Sequence, residues 1–197
     1  MPDSLYLSLW FRSFEADDML PHALAVMRQF PFAERHPGIT YLTQHPVSWD
    51  EATILEQRFL PEAAPEEAVA VAFGLLHEDN AYIFEASWDL WKPVESGEQW
   101  ISSPSPVKFI VRGDEFEEGE SQQEGHIQVD FGLETPFLYE EVKLTSEIES
   151  RVRSNVQKLV EFTTAVEKNS GDSARLLWSE SEENLAQKLI NRLQRVQ

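Results

Sequence analysis

The chain reads as an α+β protein, one mixed or antiparallel sheet packed by helices. Three observations predict this. Apolar and polar residues alternate in segments 5–12, 81–91, 107–112 and 127–133, the period of a strand with one buried face. Apolar stripes at helical spacing run through 20–30 and 148–166. The elements follow one another as β-α-β, helices, three strands, then helices, an order that suits a sheet covered on one face.

Taken in order, Leu5, Leu7, Leu9 and Phe11 alternate with Tyr6, Ser8, Trp10 and Arg12 and predict a first strand. Asp17 and Asp18 precede Leu20, Leu24, Met27 and Phe30, which predict a helix ending near Pro31, with Pro21 tolerated in its early turns. Residues 39–44 form the next strand, stopped by Pro46. Ser48 and Glu51 have capping-box spacing, and with Ile54, Leu55 and Phe59 they predict a short helix to about Leu60. Pro65, Glu66 and Glu67 open another, with Val69, Phe73 and Leu76 on one stripe; a buried strand over 69–73 fits the same residues. Residues 92–106, rich in Pro, Ser, Gly and Glu, predict an irregular connection pinned at its middle by Trp100 and Ile101.

Strands 107–112 and 127–133 flank the segment 113–125, which holds six acidic residues and no base and predicts a solvated, mobile hairpin loop. Ser146 and Glu149 cap a helix with its stripe from Ile148 to Val166, ended at Asn169-Ser170-Gly171. Residues 175–178 suit an edge strand, and Ser179 with Glu182 caps a last helix carrying Leu185, Leu189, Ile190, Leu193 and Val196. With that edge strand, both ends of the chain become βαβ units, which suits an elaborated ferredoxin-like sandwich. Residues 1–197 are read as a single domain.

At 197 residues and 42% hydrophobic content, folding buries roughly 70% of the unfolded surface, enough for a core without a disulfide or structural metal. The absence of cysteine excludes disulfides, thiolate catalysis and sulfur-ligated zinc, and suits a reducing compartment. No basic-flanked apolar leader, membrane-length apolar run or glycosylation sequon is present. The expectation is a cytoplasmic protein.

Net charge is −19, and it is unevenly spread. Residues 61–142 carry 19 acids against 3 bases, whereas 1–60 carry 8 against 4 and 143–197 carry 8 against 9. Such a field repels phosphate and anionic headgroups, so neither nucleic acid nor a membrane is an expected partner; a basic protein is.

Motifs for chemistry are missing. Neither phosphate-binding glycine pattern occurs, nor G-x-S-x-G, nor a zinc-binding histidine spacing among His22, His36, His45, His77 and His126. His77-Glu78-Asp79 is read as a polar turn, not a metal site. Arg112-Gly113-Asp114 matches an adhesion tripeptide by chance. No catalytic residue, metal or cofactor is assigned, which weighs against an enzyme.

Two functions remain beside a blander one, a structural or oligomeric protein whose acidity serves only solubility. The first is a non-enzymatic interaction module of inhibitor, immunity or adaptor type, in which Glu115, Glu117, Glu118 and Glu120 attract a basic partner. The second is a small-molecule or carbohydrate site, binding or hydrolytic, built on the sheet from Trp91 and Trp100 with Glu85 or Asp89. Four residues along a strand put Glu85 and Asp89 about 13 Å apart, too far for the carboxylate pair of a glycosidase.

Overall fold

The computed structural model describes residues 3–94, 99–139, 145–180 and 185–194. Seven strands form one sheet: β1 (Ser4–Trp10), β2 (Ile39–Pro46), β3 (Leu55–Ala63), β4 (Asn80–Pro93), β5 (Trp100–Arg112), β6 (Ile127–Leu133) and β7 (Ala174–Ser179). Their spatial order is β3-β2-β4-β5-β6-β1-β7, and every neighbouring pair is antiparallel. The helices are α1 (Ala16–Met27), α2 (Pro65–Phe73), α3 (Glu120–Glu124), α4 (Thr135–Leu138), α5 (Ser146–Asn169) and α6 (Leu185–Gln194).

The strand period sorts side chains between two faces. One face carries the row Leu42, Phe84, Phe109, Val129, Leu7, Leu177 across β2, β4, β5, β6, β1 and β7. Helices cover it. Phe30, just after α1, meets Trp88, Phe109 and, on α5, Phe162 at centroid distances of 5.2–5.3 Å, and Trp88 also stacks on Phe131. The opposite face carries Tyr41, Glu85, Lys108, Asp130, Tyr6 and Trp178 in register, with Lys108 set between two carboxylates. At its end near Arg112 this face is met by α3, whose Glu120 pairs with the Arg112 side chain.

Both β-α-β units are split. β1 and β2 run parallel with three strands between them, and β6 and β7 run parallel with β1 between them. That splitting is the local feature a ferredoxin-like sandwich is built from, here set in a larger sheet.

Several elements depart from expectation. Residues 55–63 are strand, not helix: Leu55 and Phe59 are four apart, a spacing that a helix stripe and one strand face share, and pairing with β2 decides between them. The box at Ser48 closes only a turn, with the Glu51 N–H donating to the Ser48 carbonyl. The connection expected over 92–106 is largely strand, since β4 runs to Pro93 and β5 starts at Trp100. There Ser105 and Ser103 lie opposite Trp88 and Leu90, small residues that leave room for large ones. Between the two readings of 69–73, helix wins, with Pro65 at its first turn and the Glu67 carboxylate accepting from the Ala64 N–H. Thr145, one residue earlier than expected, caps α5 by accepting from the Ile148 N–H. Residues 175–178 lie within β7. The Glu182 of the last expected cap and Val196 lie outside the described residues.

Candidate functional site: an acidic pole

Three connections meet at one end of the sheet: residues 47–54 after β2, 74–79 before β4, and 113–125 between β5 and β6. Backbone hydrogen bonds knit them together. The Val47 N–H donates to the Asp79 carbonyl at 2.7 Å, Glu117 to Val47 at 2.9 Å, Glu115 to Glu78 at 3.1 Å and Gly113 to Asn80 at 3.0 Å. Together they hold ten carboxylates, Asp50, Glu51, Glu78, Asp79, Asp114, Glu115, Glu117, Glu118, Glu120 and Glu124, and no Lys or Arg.

Segment 113–125 is less solvated than its composition predicts. It forms a 3-10 turn over Phe116–Glu118 and then α3, and Phe116 and Ser121 are fully buried. Phe116 packs edge-on against Trp49 at 4.8 Å. Trp49 ties the pole together: its backbone N–H donates to Glu117 Oε2 and its indole N–H to Glu120 Oε2, both at 2.9 Å.

Beneath the acids lies one cation. The Arg112 side chain is 5% exposed, donates from Nε to Glu120 Oε2 at 2.7 Å and from Nη2 to Gln128 Oε1 at 2.9 Å, and sits 5.7 Å from the Trp49 ring. Burial lowers its pKa and Glu120 opposes that shift. A buried arginine cannot be displayed to a receptor, which removes the adhesion reading of the tripeptide. Glu120 is thus engaged internally, while Glu115, Glu117 and Glu118 are exposed.

Backbone strain concentrates in the same place. Val47, Glu117 and Glu118 are the three non-glycine residues at positive φ (62°, 47° and 51°) among those described. For β-branched Val47, which is 54% exposed, that conformation is an outlier, imposed by the hydrogen bonds on both sides of its backbone.

Next to the pole, Ser121 Oγ donates to Asp114 Oδ1 at 3.0 Å and His126 Nε2 lies 3.1 Å from the same oxygen. This is not a nucleophile–base pair. The carboxylate stands between serine and histidine, and His126 Nδ1 is occupied at 2.9 Å by the Phe11 N–H. Among the described residues, no three His, Asp or Glu side chains are grouped to hold a metal ion, and no helix is long and apolar enough to cross a membrane.

The residues of the alternative site are distributed differently. Glu85 stands on the uncovered face beside Lys108. Asp89 Oδ2 accepts from the Glu34 N–H at 2.9 Å. Trp91 lies under the Arg151 guanidinium at 4.8 Å, with its backbone held at both N–H and C=O by Asn155. Trp100 is 4% exposed and meets Tyr139 edge-on. A cavity of about 580 Å³ opens beside it, lined also by Ile101, Ile148 and Arg151; its carboxylate is Glu147, paired with Arg151. Trp91 and Trp100 therefore share one end of the β4–β5 hairpin, and neither Glu85 nor Asp89 lines that cavity.

Sequence reasoning missed Trp49, Arg112 and the acids of the first two connections. The local signal was the Trp-Asp-Glu run at 49–51, which says nothing about what it faces. No family model, curated protein or solved structure shows a recognisable match to this chain.

Proposed function

We propose that this chain is a non-enzymatic interaction module, working in the cytoplasm, whose acidic pole docks a basic partner protein as inhibitors, immunity proteins or adaptors do. The observation that carries the reading is the convergence of three connections, all acidic and all free of Lys and Arg, on one end of the sheet. Charges held within a Debye length of about 10 Å of one another add to one field rather than being screened separately. Such a field speeds encounter with a basic surface and selects against acidic ones. The interlocked backbone pre-pays part of the ordering cost of binding.

The variant that tests this is Glu115→Gln/Glu117→Gln/Glu118→Gln. Glu120 is left intact, because its loss would strand the buried Arg112 charge and destabilise the fold. Affinity capture at low ionic strength is run in parallel on both chains, and association rates are measured for each retained protein. A partner is expected whose on-rate falls at least tenfold, on the order seen for electrostatic steering, both in the variant and at high salt. If no retained protein depends on these three side chains, the reading is wrong.

A further inference from the structure

At the same end of the sheet, on its β1–β7 side, lies a second cavity of about 450 Å³. It is bounded by Phe11, Arg12 and Ser13 after β1, by His22 of α1, and by the turn 171–173 before β7. We infer that it binds a small organic anion, with a phosphate or carboxylate held by Arg12 and His22.

The first support is unmet hydrogen-bonding capacity. Among the described residues, the Arg12 guanidinium and both His22 ring nitrogens have no hydrogen-bond or ion-pair partner. This is a chain with 35 acidic side chains against 16 Lys and Arg, in which five arginines, Arg28, Arg112, Arg151, Arg153 and Arg175, are in ion pairs with carboxylates. Two basic side chains facing one cavity and left without an acid define a site for an oxyanion.

The nearby acids do not compete. The Asp172 carboxylate is fully buried and is taken by Ser170 Oγ at 2.9 Å and Arg175 Nη1 at 3.2 Å. Asp18 Oδ2 accepts from Ser13 Oγ. A cationic ligand would meet the exposed Arg12 with no free carboxylate to offset it.

The walls are fixed and shaped. Both the Ser173 N–H and its Oγ donate to the Trp10 carbonyl, at 2.7 and 3.0 Å, and the Phe11 N–H is held by His126. His22 stacks on Phe11 at 4.1 Å, which fixes its ring plane. Gly171 has φ of +76° and open space where a Cβ would stand, so bare backbone faces the cavity. The volume suits a small molecule rather than a lone ion.

The test follows the His22 ring-proton resonances at constant pH and ionic strength while phenyl phosphate, benzoate or benzyl alcohol is added. Saturable shifts with phenyl phosphate, benzoate or both support the inference and identify the head group. Arg12→Gln should weaken that binding at least tenfold, and Arg58→Gln, on β3 far along the sheet, should leave it unchanged. Arg12 is exposed, so its loss leaves the fold intact, which the amide spectrum checks. No saturable shift with either anion, an equal shift with benzyl alcohol, or wild-type affinity in Arg12→Gln would overturn it. Because the acidic pole is untouched by these variants, the two readings fail or stand separately.

Discussion

His126 joins the two sites residue by residue. Its Nδ1 accepts from the Phe11 N–H, its Nε2 faces Asp114, and its ring stacks on Phe14 at 4.5 Å. The hydrogen bonds assign the proton of the neutral ring to Nε2. Protonating Nδ1 would break the bond to Phe11, so hydrogen bonding and burial both favour the neutral form. Burial lowers the His126 pKa, partly opposed by Asp114, and burial lowers that of His45 as well. A histidine depressed in the folded state binds fewer protons there than in the unfolded chain once pH drops below the unfolded value of about 6.5. The stability these two histidines leave intact above that pH is therefore lost as pH falls through it toward their folded midpoints. Ring-proton titration should place both midpoints below about 6.5. Denaturant unfolding between about pH 7.5 and 5.5 should show a loss of stability that is smaller in His126→Asn, whose amide oxygen can still accept from Phe11.

At the scale of elements, the pole depends on close approach of backbone to backbone. A Cβ on Gly113 would land on the Glu78 carbonyl, in the place where the Gly113 N–H reaches Asn80. Gly113→Ala should detach the connection 113–125 at a cost of about 1–3 kcal/mol. Hydrogen exchange is the measurement: amides of 115–125 should exchange faster while the centre of the β4–β5 hairpin keeps its protection. The same scale explains what could be read in advance. β1, β4, β6, the latter half of β5 and α5 declare themselves because each has one buried face, and the period of that face is written locally. β3 does not, since Leu55 and Phe59 satisfy two periods. The first half of β5 does not, since its serines and prolines carry turn propensity and only pairing with Trp88 and Leu90 makes them strand. Of the pole, the run Glu115 to Glu120 was legible as charge. Its assembly was not, because the bonds from Trp49 to Glu117 and Glu120 span 68 and 71 residues, and no local pattern encodes such contacts.

For the whole molecule, the decisive feature is the place of β1. It is an interior strand, paired with β6 on one side and β7 on the other, and Leu5, Leu7 and Leu9 are each no more than 1% exposed. Leu7→Ala should therefore cost about 2–5 kcal/mol, the range of a central core leucine, and not the small penalty of a frayed terminal strand. Chemical denaturation checks this directly.

That placement also imposes an order in time. Of the seven strands, β1 is made earliest and has both its partners among the later ones, so β2, β4 and β5 can pair as they emerge while β1 must wait. At usual synthesis speeds of about 5–20 residues per second, the wait for β6 alone is on the order of ten seconds. For that interval an alternating leucine strand is in solution with no sheet to join, which makes it the segment of the nascent chain most in need of a chaperone's cover.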